Sequence, residues 1–108
     1  MAFMIRFTKG AQGDLRSIHA YICKNDCPEN ADYVAREIVK ATLTLRELPQ
    51  RGAHPPELLL LGSRSYRQIF FKPYRILYKV RSNTVFVAVI ADGRRDMGHL
   101  LARRLAKS

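Results

Sequence analysis

The stretch YRILYKVRSNTVFVAVIAD, residues 74–92, decides the fold of this 108-residue chain. From residue 74 to residue 81, apolar or aromatic side chains alternate with mostly charged ones, which is the period of two of a half-exposed strand. Ser82-Asn83 is typical of a two-residue hairpin link. Thr84–Ala91 is almost wholly apolar, so it predicts a central strand buried on both faces.

Two helices are predicted upstream of this hairpin. The first ends near Cys23–Asp26, and the second begins at Pro28, a residue suited to the first helical position, and ends before Pro49. Because the break between them is short, they should pack as an antiparallel hairpin with one-sided apolar stripes. The stripes are Ala11, Leu15, Ile18 and Ile22 in the first helix, and Val34, Ile38, Ala41, Leu45 and Leu48 in the second.

The remaining segments complete an α+β order. Met4–Phe7 and Tyr66–Phe71 are predicted strands, and the segment from Pro49 to Pro56 is predicted to be a loop. After Asp92, the apolar residues Met97, Leu100, Leu101 and Leu105 predict a short last helix. The order β-α-α-β-β-β-α indicates one domain over residues 1–108. Its small antiparallel-type sheet carries the helical hairpin on one face, with a short C-terminal helix.

The charge is concentrated in the second half of the chain. The whole chain has 19 Lys and Arg against 9 Asp and Glu, a net charge of +10. Residues 1–57 carry eight basic and seven acidic side chains, whereas residues 58–108 carry eleven basic and two acidic, a net of +9. Such asymmetry predicts a polyanionic partner, either nucleic acid or an acidic protein.

Composition also excludes several classes of protein. The longest apolar runs, Leu58–Leu61 and Val85–Ala91, are far shorter than the roughly 20 residues of a membrane span. The N-terminus lacks the apolar region of a signal peptide, so a cytoplasmic location is expected. His19, Cys23 and Cys27 have no evident fourth metal ligand, and we predict two reduced cysteines. We expect no metal and no cofactor. The small number of Asp and Glu residues excludes a two-metal nuclease.

One strand face is a candidate anion-binding surface. Arg75, Lys79 and Arg81 share a face with Leu77, and Arg67 on the neighbouring strand adds to it if the register allows. Arginine's planar fork suits phosphate and carboxylate groups. A solvated sheet edge, charged against aggregation, explains the same pattern.

The turn after the last strand holds further cations. Gly93 is expected to take a positive φ where the strand turns sharply into the helix. Arg94 and Arg95 lie close in sequence to Asp92 and Asp96. We expect Arg94 to point to solvent or to a partner. Whether Arg95 binds a partner or merely braces the turn through these acids stays open.

The chain resembles the RelE/ParE family of toxins from type II toxin–antitoxin systems over nearly its whole length. The resemblance rests on four segments in the right order, which are Ala11 to Ile22, Leu48-Pro49 with Gly52, Tyr74 to Val80, and Asp92-Gly93-Arg94-Arg95-Asp96. It implies a cognate acidic antitoxin, bound through a segment that folds on the helical hairpin and the sheet edge, in a toxin–antitoxin hetero-oligomer.

The family implies two activities. RelE-like members are metal-independent ribosome-dependent ribonucleases that act on mRNA, whereas ParE-like members act on DNA gyrase. A RelE-like site here would use Arg67, Arg75, Arg95 and His99. However, the RelE-like pattern has two strand lysines where Arg67 and Ile69 align, and a tyrosine in the last helix that is missing here.

The ParE-like alternative is favoured by the Gly-Arg-Arg-Asp run and by the segment Pro55-Pro56-Glu57-Leu58. Its expected target-binding residues are Arg75, Arg94, Arg95, Arg103 and Arg104, with Lys107 extending the cationic end. A third alternative is a non-toxic basic module that binds nucleic acid directly. For that module the aromatic side chains are unfavourably placed, because Tyr74 and Tyr78 should face the helices.

Overall fold

The computed structural model describes residues 2–105 of the chain, so Lys107 lies outside the described residues. Its elements follow the predicted order, with one short helix added. The strands are β1 (Met4–Phe7), β2 (Arg67–Phe71), β3 (Tyr74–Arg81) and β4 (Thr84–Asp92). The helices are α1 (Lys9–Asn25), α2 (Pro28–Leu43), α3 (Pro56–Leu59) and α4 (Met97–Leu105), with a 3-10 turn at Thr44–Arg46. The added helix α3 starts with a proline at its first position, where the missing N–H costs nothing.

The four strands form a mixed sheet in the order β1-β4-β3-β2. The pairs β2–β3 and β3–β4 are antiparallel, as predicted. Strand β1 instead runs parallel to β4, so the sheet is not antiparallel throughout. The cause is connectivity, because parallel neighbours need a long crossover and the chain passes through both helices and two strands between them.

The helical hairpin covers one face of the sheet, as the apolar stripes predicted. Tyr78 and Ile76 from β3 are fully buried there, which confirms that alternate residues of this strand face the helices. Leu48 is a correction to the predicted stripe. Its side chain is 62% exposed, because the α-helix ends at Leu43 and the 3-10 turn changes the phase of the residues that follow.

Part of the opposite face is covered by α3 and α4. Leu77 is fully buried beneath α4, and therefore does not take part in an exposed patch with its charged neighbours. The α4 residues Met97, Leu100 and Leu101 pack against the same cluster. The leucines of α4 are thus core residues and not an apolar surface offered to a partner.

Within residues 2–105, no helix is both long enough and apolar enough to cross a membrane. The longest, α1, has 17 residues and is amphipathic, with its apolar stripe facing the sheet.

Candidate target-binding surface

Arg94 pairs with Asp92 in the turn that follows β4, a contact that was not predicted for it. The backbone N–H and the side-chain Nε of Arg94 both donate to Asp92 Oδ1, each at 2.9 Å. These hydrogen bonds are the main reason that the pKa of Asp92 lies below its ordinary value. Arg94 nevertheless stays 79% exposed, so its outer edge remains accessible to a partner.

Arg95 is the freer of the two neighbouring cations. Its backbone N–H donates to Asp92 O at 3.1 Å, and its side chain is exposed. No hydrogen bond or ion pair joins the Arg95 guanidinium to another of the residues that the structure describes. Its full charge is therefore available to an external anion.

Gly93 is required for space and not for a positive φ. Among the described residues, positive φ values occur at Ser82, in the hairpin link, and at Gly62. A Cβ at position 93 would lie 3.0 Å from Arg75 Cδ and 3.3 Å from Pro73 O. The glycine therefore lets the turn pack directly on the stem of Arg75.

Arg75 is engaged by an acidic residue that we did not predict as its partner. Its two terminal nitrogens each donate to a carboxylate oxygen of Glu57 at 2.8 Å, and its Nε donates to Gln68 Oε1 at 2.8 Å. The side chain is 11% exposed. Hydrogen bonds from Arg75 lower the pKa of Glu57, although partial burial opposes them. One sequence signal was present, since Glu57 is the only acid between Glu47 and Asp92.

Arg67 lies on the opposite face of the sheet from Arg75. The strand register therefore does not add Arg67 to the predicted anion-binding surface of Arg75, Lys79 and Arg81. It is the cross-strand partner of Tyr78, which faces the helices. Its guanidinium donates to Gly52 O at 2.7 Å and to Gln50 Oε1 at 2.9 Å. Arg67 thus braces the loop between α2 and α3.

The two arginines of α4 have different surroundings. Arg104 donates to both carboxylate oxygens of Asp14, at 2.7 and 3.0 Å, and to Ala88 O at 3.0 Å. Asp14 also accepts the backbone N–H of Ile90, which ties α1, β4 and α4 together. Arg103 is exposed, and its side chain has no polar partner among residues 2–105.

His99 lies in the first turn of α4 beside a capping carboxylate. Its backbone N–H donates to Asp96 Oδ1 at 3.1 Å, and its Nδ1 lies 3.3 Å from Asp96 Oδ2. The backbone hydrogen bond is the main cause that lowers the pKa of Asp96. The His99 side chain is 86% exposed.

A groove of about 430 Å³ brings the exposed cations next to aromatic side chains. Arg94 and Arg95 line it together with Tyr21 of α1 and Tyr74 of β3. Burial, and secondarily the charge of Asp92, raises the pKa of Tyr74, so its phenol remains protonated. Tyr21 is exposed and was not predicted as part of a site. Asp14 and Asp92 also line the groove, but both carboxylates are already paired, with Arg104 and Arg94. The unpaired guanidinium of Arg95 can therefore bind an anionic group there, and we call this groove the turn groove.

The cysteines lie at the junction of α1 and α2, away from the turn groove. Both are free thiols. Cys23 Sγ lies 3.7 Å from His19 Nδ1, and His19 Nε2 lies 2.7 Å from Asp32 Oδ1. These contacts join the two helices at their shared end.

A match to a sequence family identifies the class of protein to which this chain belongs. A sequence model described as the ParE toxin of the type II toxin–antitoxin system parDE matches residues 5–97. The chain belongs to this family, within the RelE/ParE toxins. No curated protein matches in a direct sequence search.

Solved structures of low identity share the fold. A chain of the chromosomal ParDE toxin–antitoxin system from P. aeruginosa is 19% identical, with a TM-score of 0.71 over 84% of this chain and 96% of that one. A mutant of the E. coli toxin RelE in the free state is 16% identical, with a TM-score of 0.67 over 99% and 98%. A chain of the RelBE2 toxin–antitoxin complex from Mycobacterium tuberculosis is 18% identical, with a TM-score of 0.61 over 85% and 99%.

Proposed function

We propose that this toxin is ParE-like in its target, and that it inhibits DNA gyrase in the cytoplasm through the turn groove and the exposed end of α4. The match to the ParE family over residues 5–97 supports this choice. The expected contacts are Arg94, Arg95 and Arg103, whose guanidinium groups are exposed. Arg75 and Arg104 act as supports, because their paired guanidinium groups are mostly buried, whereas Arg94 stays 79% exposed beside Asp92.

The pairing of Arg75 is the single observation that carries the proposal. A metal-free ribonuclease needs a cation free to stabilise the crowded phosphate, and a group that moves protons. Here the Arg75 guanidinium is held by a carboxylate and an amide oxygen. His99, the proton carrier that the sequence suggested, is exposed and hydrogen-bonded to its own helix cap. This arrangement favours binding over phosphodiester cleavage.

A supercoiling assay tests the proposal directly. The purified chain should inhibit ATP-dependent supercoiling by purified gyrase and should trap the cleaved-DNA complex. Arg95→Ala should weaken this inhibition about tenfold or more. An arginine that is exposed in the free toxin and becomes buried at the centre of an interface contributes one or more kcal/mol to binding. Arg36→Ala removes an equally exposed arginine from α2 and serves as the matched control.

Two results would contradict gyrase inhibition. The first is unchanged supercoiling at micromolar toxin concentrations. The second is new cleavage of mRNA in the A site of translating ribosomes, abolished by Arg75→Ala or Arg95→Ala, which would identify the RelE-like ribonuclease alternative. If neither enzyme system responds and growth is unaffected, the non-toxic nucleic-acid module becomes the better interpretation.

An acidic antitoxin is the proposed partner that neutralises the toxin. An apolar groove of about 600 Å³ lies where the helical hairpin meets the end of β1, and it is lined by Phe7, Leu15, Ala35 and Val39 among others. A second groove shares Ala35 and Val39 and adds the cations Arg36 and Lys40, together with Asp32, whose Oδ1 lies 2.7 Å from His19 Nε2. An amphipathic acidic segment that folds on binding would match both the apolar floor and the basic rim.

Expression in bacteria tests the toxin–antitoxin assignment separately from the target. Expression of the chain alone should arrest growth, and co-expression with the acidic protein encoded beside it should restore growth. Val39→Glu should leave the toxin active while weakening its neutralisation. Unimpaired growth with folded, soluble toxin would contradict the assignment.

A further inference from the structure

A row of alternating cations and aromatic rings crosses the sheet at the end opposite the turn groove. Phe86 of β4 is the cross-strand partner of both Arg6 on β1 and Lys79 on β3. Neighbouring strands lie about 4.8 Å apart, so the three side chains stand side by side. The Lys79 ammonium in turn lies 5.3 Å from the centre of the Tyr66 ring. We call these four residues the Phe86 row.

The row stands on the face of the sheet that the helical hairpin does not cover. Ile5 and Phe7 pack toward the hairpin, so alternation along β1 directs Arg6 to the other face. Val85 and Val87 also pack toward the hairpin, so alternation along β4 directs Phe86 to the same face as Arg6. Arg6 is exposed and Phe86 is partly exposed. This part of the face therefore remains open beside α3 and α4, which cover only its other portion.

A groove follows the row and continues along the surface. Its first part, about 230 Å³, is lined by Phe86, Lys79, Arg81 and Tyr66 with two smaller residues. Its second part, about 450 Å³, shares Lys79 and Tyr66 and runs to Ser63, Ser65 and α4. No acidic residue lines either part. Closed pockets for whole small ligands are usually about 300–1,000 Å³, so the first part suits one planar ring of a longer ligand.

We propose that the Phe86 row, with Arg81 beside it, is a binding site for single-stranded nucleic acid. An unpaired base stacks on the Phe86 ring, and the flanking phosphates contact Arg6, Lys79 and Arg81. The site is separate from the turn groove, because Phe86 and Asp92 are six residues apart on β4, about 20 Å at the usual rise of a strand. The proposal goes beyond gyrase inhibition and does not rest on it.

The alternation of rings and cations favours nucleic acid over an acidic peptide. Carboxylates need cations only, whereas a nucleotide presents a flat ring and a phosphate in every repeat, and aromatic stacking is the sequence-tolerant way to hold it. The Phe86 ring lies between two cations on neighbouring strands, so base and phosphate can be bound at the same time. Arg6 and Arg81 have no polar partner among residues 2–105, and their charge is available to phosphates.

Fluorescence anisotropy with the full chain tests the site. The probes are labelled oligothymidylate and oligouridylate of about 15 nucleotides, within the usual site sizes of single-strand binding proteins. Both should bind, and log affinity should fall with log salt with a slope of about 2, since each of three phosphate contacts contributes about 0.7. A difference between the probes identifies which nucleic acid is the natural ligand.

Two variants separate stacking from charge. Phe86→Leu keeps an apolar side chain but removes the ring face, and should weaken binding about tenfold with an unchanged salt slope. Arg81→Gln lies at the exposed end of β3, where folding is not at risk, and should lower the slope by about 0.7. Arg36→Gln removes one exposed charge from α2 as the matched control, and should change neither quantity. Circular dichroism confirms that each variant is folded.

Three outcomes would overturn the proposal. One is no binding of either probe at low salt. Another is an equal loss for Arg81→Gln and Arg36→Gln with no effect of Phe86→Leu, which would mean attraction by net charge alone. The third is that polyglutamate binds with the same variant pattern while the oligonucleotides do not, which would assign the row to an acidic protein.

Discussion

At the scale of single residues, the role of each arginine depends on which carboxylate lies within reach. Arg75 and Arg104 are held bidentately by Glu57 and Asp14 and are largely buried. Because a planar guanidinium can donate to both oxygens of one carboxylate, each of these arginines joins elements that are distant in sequence. Arg95, by contrast, has an exposed guanidinium. The charge of the second half is therefore divided between internal supports and a surface offered to partners.

The Arg75–Glu57 pair gives a prediction for stability against pH. Glu57→Gln should cost about 1–2 kcal/mol of unfolding free energy at neutral pH, because a mostly buried guanidinium loses its anionic partner. The pKa of Glu57 is lowered in the folded protein from its ordinary 4.5. The stabilisation is thus complete above about 4.5 and is lost as the pH falls through the lower folded pKa.

Urea unfolding of both proteins over a pH series measures this effect. The stability difference between wild type and Glu57→Gln should shrink as the pH falls below about 4.5. Glu47→Gln, at an exposed position, should stay within about 0.5 kcal/mol of wild type. A difference that is constant at all pH values would mean that the charge of Glu57 has no part in stability.

The hydroxyl group of Tyr78 gives a second prediction at this scale. It donates to Pro49 O at 2.8 Å and accepts the N–H of Gly52 at 3.0 Å, both in the interior. Tyr78→Phe leaves both backbone groups without that partner and should cost about 1–3 kcal/mol. Thermal unfolding measures the loss, with Tyr33→Phe on the exposed side of α2 as the control. Equal stability of the two variants would contradict the predicted role.

At the scale of elements, α4 is both a cover for the sheet and a carrier of cations. Its inner side packs on Leu77 and Val89, whereas Arg103 is exposed. Deleting the chain after Asp96 would remove buried residues together with the surface charges. Such a deletion cannot test target binding, and point variants of α4 are needed.

Leu101→Ala and Arg103→Ala should separate the two roles of α4. Leu101 is almost fully buried, so its truncation should cost about 2–4 kcal/mol of unfolding free energy. Arg103→Ala should change stability by less than about 0.5 kcal/mol while weakening target inhibition. Denaturant midpoints measure the predicted changes in stability, and the supercoiling assay on the same preparations measures the predicted change in target inhibition. A stable Leu101→Ala protein would mean that α4 is not part of the core.

At the scale of the whole molecule, the net charge of +10 opposes the compact state. Six ion pairs are present within residues 2–105, two of them through histidine, and they leave most of the cations without an anionic neighbour. Binding of an acidic partner would remove this repulsion as well as cover the toxin's surface. The charge asymmetry therefore links stability to neutralisation.

The melting temperature of the free toxin should rise as salt increases from about 50 to about 200 mM, because screening weakens the repulsion between like charges. NaCl and KCl should have equal effects if screening is the cause. A melting temperature that falls with salt would show that attractive surface pairs outweigh the repulsion. The complex with an acidic antitoxin should respond less, since its charges are balanced.

The sequence alone determined the elements and the family. The helix period of Ala11 to Ile22 and the alternation from Tyr74 to Val80 are local patterns, which is why the predicted elements agree with the observed ones. The four segments quoted above also identified the toxin family by their order and spacing, which the family match confirms. Neither result needs knowledge of contacts between distant residues. The elements depend on spacing within one stretch of chain, and the family depends on the order of four such stretches.

Only the tertiary structure decided how the elements pair and which charges are free. The parallel pairing of β1, the facing of Arg67 toward the helices and the Arg75–Glu57 ion pair all depend on strand register or on contacts across long loops. After β4, two adjacent arginines are equivalent in sequence, and the folded turn pairs Arg94 with Asp92 while the Arg95 guanidinium has no ion pair among the described residues. Long-range packing sets these contacts, and a local pattern carries no information about it.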